Sequence, residues 1–146
     1  MNNLATALYD EGRYVEAEKL LRETLGVRRR VLGPEHPDTL TSNSNLANTE
    51  MKMRKYTDAE KTLEDVRGIQ RRVLGSDHPD TAASTYGMAR SAALQGRSER
   101  AMSLLGEAIE HGLAPDLDLR MDRDPDLKSL RGNRRFDAVI ARTDVR

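Results

Sequence analysis

The chain of 146 residues carries 24 Lys and Arg against 24 Asp and Glu, a neutrality that leaves no bulk electrostatic pull toward nucleic acid or an anionic membrane. It has no cysteine, which excludes disulfides, thiolate metal sites and a cysteine nucleophile and fits a reducing cytoplasm. No apolar run approaches the roughly 20 residues of a spanning helix, and no basic-then-apolar start resembles an export signal, so the expectation is a soluble, cytoplasmic protein. With one Phe and four Tyr, the core must come from Leu, Ala, Val, Ile and Met, which suits close helix-on-helix packing.

The first helix is predicted from Asn2 to about Glu11, with Leu4, Ala5 and Leu8 on one face and Gly12 just past its end. Tyr14, Ala17, Leu21, Leu25 and Leu32 predict a second helix, stopped by Gly33 and Pro34. The turn between them is very short, which forces an antiparallel hairpin. His36-Pro37-Asp38-Thr39 opens a third helix reaching about Met53, since Pro is preferred in the first turn and Asp suits the positive end of the helix dipole. A fourth helix runs from about Tyr56 to Leu74, a fifth opens at His78-Pro79-Asp80-Thr81 and reaches about Leu94, and a sixth runs from about Ser98 to His111. Ala114 to Met121 reads as an irregular linker. Asp124-Pro125-Asp126 caps a short helix carrying Leu127 and Leu130, and Asn133 caps a last helix with Phe136, Val139 and Ile140 on one stripe.

These helices repeat. Arg29 to Thr39 reads R-R-V-L-G-P-E-H-P-D-T and returns from Arg71 to Thr81 as R-R-V-L-G-S-D-H-P-D-T, 42 positions on. The same interval links Leu4, Leu46 and Met88, then Ala5, Ala47 and Ala89, then Ala17, Ala59 and Ala101, then Leu21, Leu63 and Leu105. Such a period marks a stacked array in which each unit buries its apolar face against its neighbours. The expected fold is all-α: an α-α superhelix, a solenoid of three helical hairpins plus a C-terminal helical cap. The units fall at about 1–36, 37–78 and 79–112, and a linker and capping helices fill 113–146. Two departures predict looser packing: Glu50 stands at the register of Leu8, and Ser98 at that of Tyr14 and Tyr56.

Two constellations are weaker than they look. His36 and His78 lie one repeat apart, too far for ligand bonds near 2 Å to one ion. Asp122, Asp124 and Asp126 alternate like calcium-loop ligands, but Leu127 and Asn133 stand where that loop needs Gly and Glu. No nucleophile–base pair and no Gly-rich phosphate loop is present. The expectation is therefore no catalytic residue, no metal and no cofactor.

The runs Asn3-Leu4-Ala5 and Asn45-Leu46-Ala47, Gly12-Arg13-Tyr14-Val15-Glu16-Ala17-Glu18 and Arg54-Lys55-Tyr56-Thr57-Asp58-Ala59-Glu60, with the Val-Leu-Gly-x-x-His-Pro-Asp-Thr connectors, resemble tetratricopeptide repeats. The 42-residue period is that of the kinesin-light-chain type. The resemblance implies a non-enzymatic protein-interaction module whose first helices line a concave groove that binds a peptide segment. The groove residues it implies are Asn2, Asn3, Thr6 and Tyr9, then Ser44, Asn45, Asn48 and Lys52, then Tyr86 and Arg90. Asn amides hold an extended backbone, and Lys52, Tyr86 and Arg90 would supply specificity. A carboxylate clamp built from Asn45, Asn48, Lys52 and Arg90 would prefer an acidic or C-terminal segment. A departure from the family pattern, a first unit that begins at Met1 with no preceding His-Pro-Asp, leads to the expectation of an uncapped N-terminal hairpin open to self-association. The tail from Asp124 to Phe136 is similar to endings found in bacterial Ser/Thr kinases, and the alternative reading is the C-terminal regulatory or scaffolding part of such a signalling protein.

Overall fold

The computed structural model of the protein describes residues 2–114 and 120–143. Its helices are α1 (Asn2–Asp10), α2 (Tyr14–Val31), α3 (Pro37–Lys52), α4 (Tyr56–Val73), α5 (Pro79–Leu94), α6 (Ser98–Glu110) and α7 (Arg134–Thr143). Two 3-10 segments, Met121–Arg123 and Pro125–Leu130, precede α7, and no strand occurs among the described residues. Most of the expected linker, 115–119, lies outside them. The predicted helix ends agree with these to within one or two residues, because Gly, Pro and cap signals act locally. The chain divides into two compact units, Met1–Ile69 and Gln70–Arg146.

The hairpin turns share one mechanism. The N–H of Arg13 donates to the Leu8 carbonyl at 2.8 Å, that of Lys55 to Glu50 at 2.8 Å and that of Arg97 to Ala92 at 2.9 Å. Each bond spans a residue with positive φ, Gly12 (77°), Arg54 (61°) and Gly96 (73°), which satisfies the last carbonyls of the helix before it. Arg54 adopts this conformation without being glycine because the register demands it.

The repeated connector explains itself at atomic level. The Nδ1 atoms of His36 and His78 accept from the backbone N–H of Asp38 (3.1 Å) and Asp80 (3.2 Å), so each His is an N-cap for the helix that its Pro begins. Thr39 and Thr81 reach back to the carbonyls of Gly33 and Gly75, both at 2.9 Å. A turn fastened at both ends recurs as a block.

In the first unit, Ala5, Leu21, Leu25 and Leu46 form a buried cluster with Leu20 packed on it. Leu4 shares the predicted apolar face with Ala5 and Leu8, yet it is 57% exposed while its register partners Leu46 and Met88 are buried. Arg28 ties α2 to α3 by donating to the Asp38 carbonyl (2.6 Å) and to Ser42 (2.8 Å). In the second unit the same register holds Gln70, whose side-chain oxygen accepts from Ser84 at 2.6 Å. Met121, Leu127, Leu130 and Phe136 are fully buried. The tail is therefore an integral part of that unit's core.

At Glu50 the packing is not loosened. The residue is 1% exposed, and its carboxylate accepts from Arg22 (3.0 Å) and Thr62 (3.2 Å). Arg22 also donates to Glu18 (2.9 Å), and Glu18 accepts from Lys55 at 2.8 and 2.9 Å. The two carboxylates titrate in opposite directions. The Lys55 hydrogen bonds hold Glu18 below the usual Glu range, against burial and with help from Arg22. Burial pushes Glu50 up, and Thr62 and Arg22 offset this only in part. A depressed pKa contributes stability that is present above the unfolded-state value of 4.5 and lost as pH falls through the folded one. A raised pKa contributes stability below the unfolded value that is lost as pH rises through the folded one. At pH 7 Glu18→Gln is expected to destabilise by about 2 kcal/mol, whereas Glu50→Gln is neutral or stabilising by about 1 kcal/mol. Urea unfolding at pH 7 and again near pH 4 checks this, and the Glu18→Gln loss should shrink in acid. Shifts of the same sign at pH 7 would refute the assignment.

Candidate functional site

A cleft of about 170 Å³ opens between α1 and α3, lined by Thr6, Tyr9, Leu21, Asn45 and Asn48 among others. Its floor is apolar through Leu21 and Ala5, both 1% exposed. Polar atoms converge at its mouth. Thr6 donates to the Asn2 carbonyl (3.0 Å), which leaves its hydroxyl oxygen able to accept. Tyr9 stands edge-on to Tyr14 with ring centroids 5.4 Å apart, which fixes the ring as one wall. Asn45 and Asn48 are half-buried, one turn apart on α3. The Asn45 side-chain amide has no hydrogen-bond partner among the described residues, so it presents both a donor and an acceptor to the cleft.

The other expected groove residues divide into three groups. Asn2 is half-buried, and its Oδ1 accepts from Ser42 at 3.1 Å, so it ties α1 to α3. Asn3 and Lys52 are exposed and Ser44 is half-buried, and none of the three lines the cleft. Tyr86 and Arg90, on α5, meet the chain's own tail.

The Tyr86 hydroxyl donates to Asp124 Oδ2 at 2.5 Å, and the ring is 4% exposed. Its pKa is raised, first by burial and then by the hydrogen bond to the Asp124 carboxylate. Arg90 Nε donates to Asp126 at 3.0 Å and lies 3.4 Å from Asp124. Burial alone would pull Arg90 down, but the carboxylates of Asp126 and Asp124 outweigh it and hold the guanidinium charged. Asp124 also caps the segment that follows it, accepting from the Asp126 N–H at 2.9 Å. The sequence signalled that capping role; nothing in it linked Asp124 and Asp126 to residues some 36 positions earlier.

The comparisons bear on the fold and the family. Family models described as tetratricopeptide repeat match residues 1–38 and 38–112. Two solved structures from Podosopora anserina, described as a kinesin light chain with nearly identical TPR-like repeats, align with TM-scores of 0.79 and 0.78 at 25% and 24% identity. They cover 99% of this chain and 71% and 72% of theirs. BtubC (BKLC) from P. vanneervenii aligns with a TM-score of 0.80 at 18% identity, over 97% of this chain and 59% of its own. None of the curated proteins matches the sequence. Repeated connectors, hairpins closed by the same turn and family models spanning most of the described helices lead to one assignment: the chain belongs to the tetratricopeptide repeat family, whose repeats are typically non-enzymatic protein-interaction scaffolds.

Proposed function

We propose that the chain holds a peptide segment of a protein partner in the cleft between α1 and α3. The observation that carries this reading is the Asn45 amide, open to the cleft with no partner among the described residues, beside Asn48, Thr6 and Tyr9. A buried floor under a polar mouth takes one side chain of an extended segment, while the amides take its backbone N–H and carbonyl groups. Lys52, Ser44 and Asn3 flank this site on the same two helices and would meet the residues on either side.

The proposed preference for acidic segments draws support from α5. Arg90, at the register of Asn48, binds the carboxylate of Asp126, and Tyr86, at the register of Ser44, binds that of Asp124. These intrachain contacts support an acidic preference at such positions. Because the tail holds Tyr86 and Arg90, the partner's contacts are assigned to α1 and α3. An array of immobilised acidic and neutral peptides, probed with wild type and with an Asn45→Ala, Asn48→Ala variant, tests the reading. Peptides retained by the wild type should lose about tenfold to a hundredfold in affinity, the range for two central interface residues. Unchanged retention, with helical content intact by circular dichroism, would remove the cleft as the site.

A further inference from the structure

We propose a second site in the same unit: the cleft between α2 and α4 binds a single carboxylate. This cleft, of about 250 Å³, is lined by Arg22, Gly26 and Arg29 of α2, Asn43 and Leu46 of α3, and Thr62 and Asp65 of α4. It lies across α3 from the first. Asn43, Leu46 and Glu50 follow one i, i+3, i+7 row of that helix, and Asn45, Asn48 and Lys52 follow the opposite one.

The argument rests on an unanswered donor. Asn43 is 6% exposed, and its Oδ1 accepts from Arg29 at 3.1 Å. Its NH₂ group has no acceptor among the described residues. A buried amide donor left unmade is costly, and such groups in folded proteins are nearly always answered by protein, water or ligand. Arg29 makes no other side-chain hydrogen bond among the described residues, so the rest of its fork is available beside the Asn43 NH₂. One carboxylate bridges the two, with one oxygen on the guanidinium and the other on the amide. Arg22, already bonded to Glu18 and Glu50, adds positive charge without being consumed.

The walls also select among anions. Asp65 places a negative charge on the rim and has no described partner, which penalises a phosphate dianion more than a monoanionic carboxylate. The buried Leu25 and Leu46 suit the methylene stem of a Glu side chain or an apolar C-terminal residue. Space for that stem exists beside Gly26: apart from the adjoining backbone of its own helix, no atom lies within 4 Å of where a Cβ would stand.

Nuclear magnetic resonance on the full chain tests the site. With sodium acetate, the Asn43 side-chain NH₂ and Arg29 Nε–H signals should shift saturably, and with chloride or phosphate at equal ionic strength they should not. Asn43→Asp replaces the donor by an acceptor facing Arg29. Gly26→Leu fills the cleft without touching a charge and favours the helix. Each should weaken the acetate response by about tenfold or more, as expected for losing a hydrogen bond to a charged group, while Asn45→Ala leaves it unchanged. Two peptides then separate the sources, one amidated with a single Glu and one with a free C-terminus and no acidic side chain. The peptide that reproduces the shifts identifies the source, and failure of both overturns the proposal. So does an equal response to chloride or phosphate, which marks an adventitious ion only, or a response that survives in both cleft variants.

Discussion

Phe136→Ala is expected to lower the stability of the chain by about 3 to 5 kcal/mol, the range for emptying a buried aromatic position. Phe136 heads the fully buried side chains by size among the described residues, and it lies on a helix of only ten residues. A helix that short has no stability of its own in water, so α7 persists only through the face it buries. Arg135 adds an ion pair to Glu99 at 2.6 Å, but both side chains are largely exposed, 60% and 82%, and such pairs contribute little. Removing the ring should therefore release α7 as a whole. Equilibrium unfolding measures the loss, and hydrogen exchange in 134–143 should rise toward the unfolded rate. A loss under about 1 kcal/mol would show that the tail is appended to the second unit without supporting it.

The second large effect concerns Arg90. Its guanidinium faces Asp124 and Asp126, whose side chains are only 15% and 12% exposed. Arg90→Leu leaves two nearly buried carboxylates without their cation, and breaking a buried pair from one side costs about 3 to 5 kcal/mol. The companion experiment decides the cause. If the loss comes from stranded charge, then adding Asp124→Asn and Asp126→Asn to Arg90→Leu should restore about half of it or more. If the triple variant is no better than the single one, the role of Arg90 is packing of its stem against the tail, and the charge reading fails.

Much of the helical order was legible in the residues because each signal acts within a few positions. Gly33 and Gly75 end helices, His36-Pro37 and His78-Pro79 begin them, and the 42-residue recurrence of Leu, Ala and Gly sets the hairpins. Even here one role needed coordinates: His is not among the preferred N-cap residues, so its Nδ1 capping bond was not readable from the connector. The candidate site was legible in part. Asn45, Asn48, Thr6 and Tyr9 meet at one cleft because a repeat register fixes the rotation of α1 and α3 about their axes.

Rotation, however, does not say what arrives from elsewhere in the chain. Tyr86 and Arg90 carry the register of groove residues, and the tail's Asp124 and Asp126 lie against them. Glu50 looked like a packing defect, and only folding brings Arg22 from α2 and Thr62 from α4 to its carboxylate. The same holds for Asn43, whose isolation as a donor is a property of its neighbours and not of its type. The helices, their pairing and the repeat were legible in the residues alone, because caps, stops and apolar periodicity are short-range. Which polar groups are paired and which are left open was settled only by packing, because partners 12 to 38 residues apart meet only once the helices have come together.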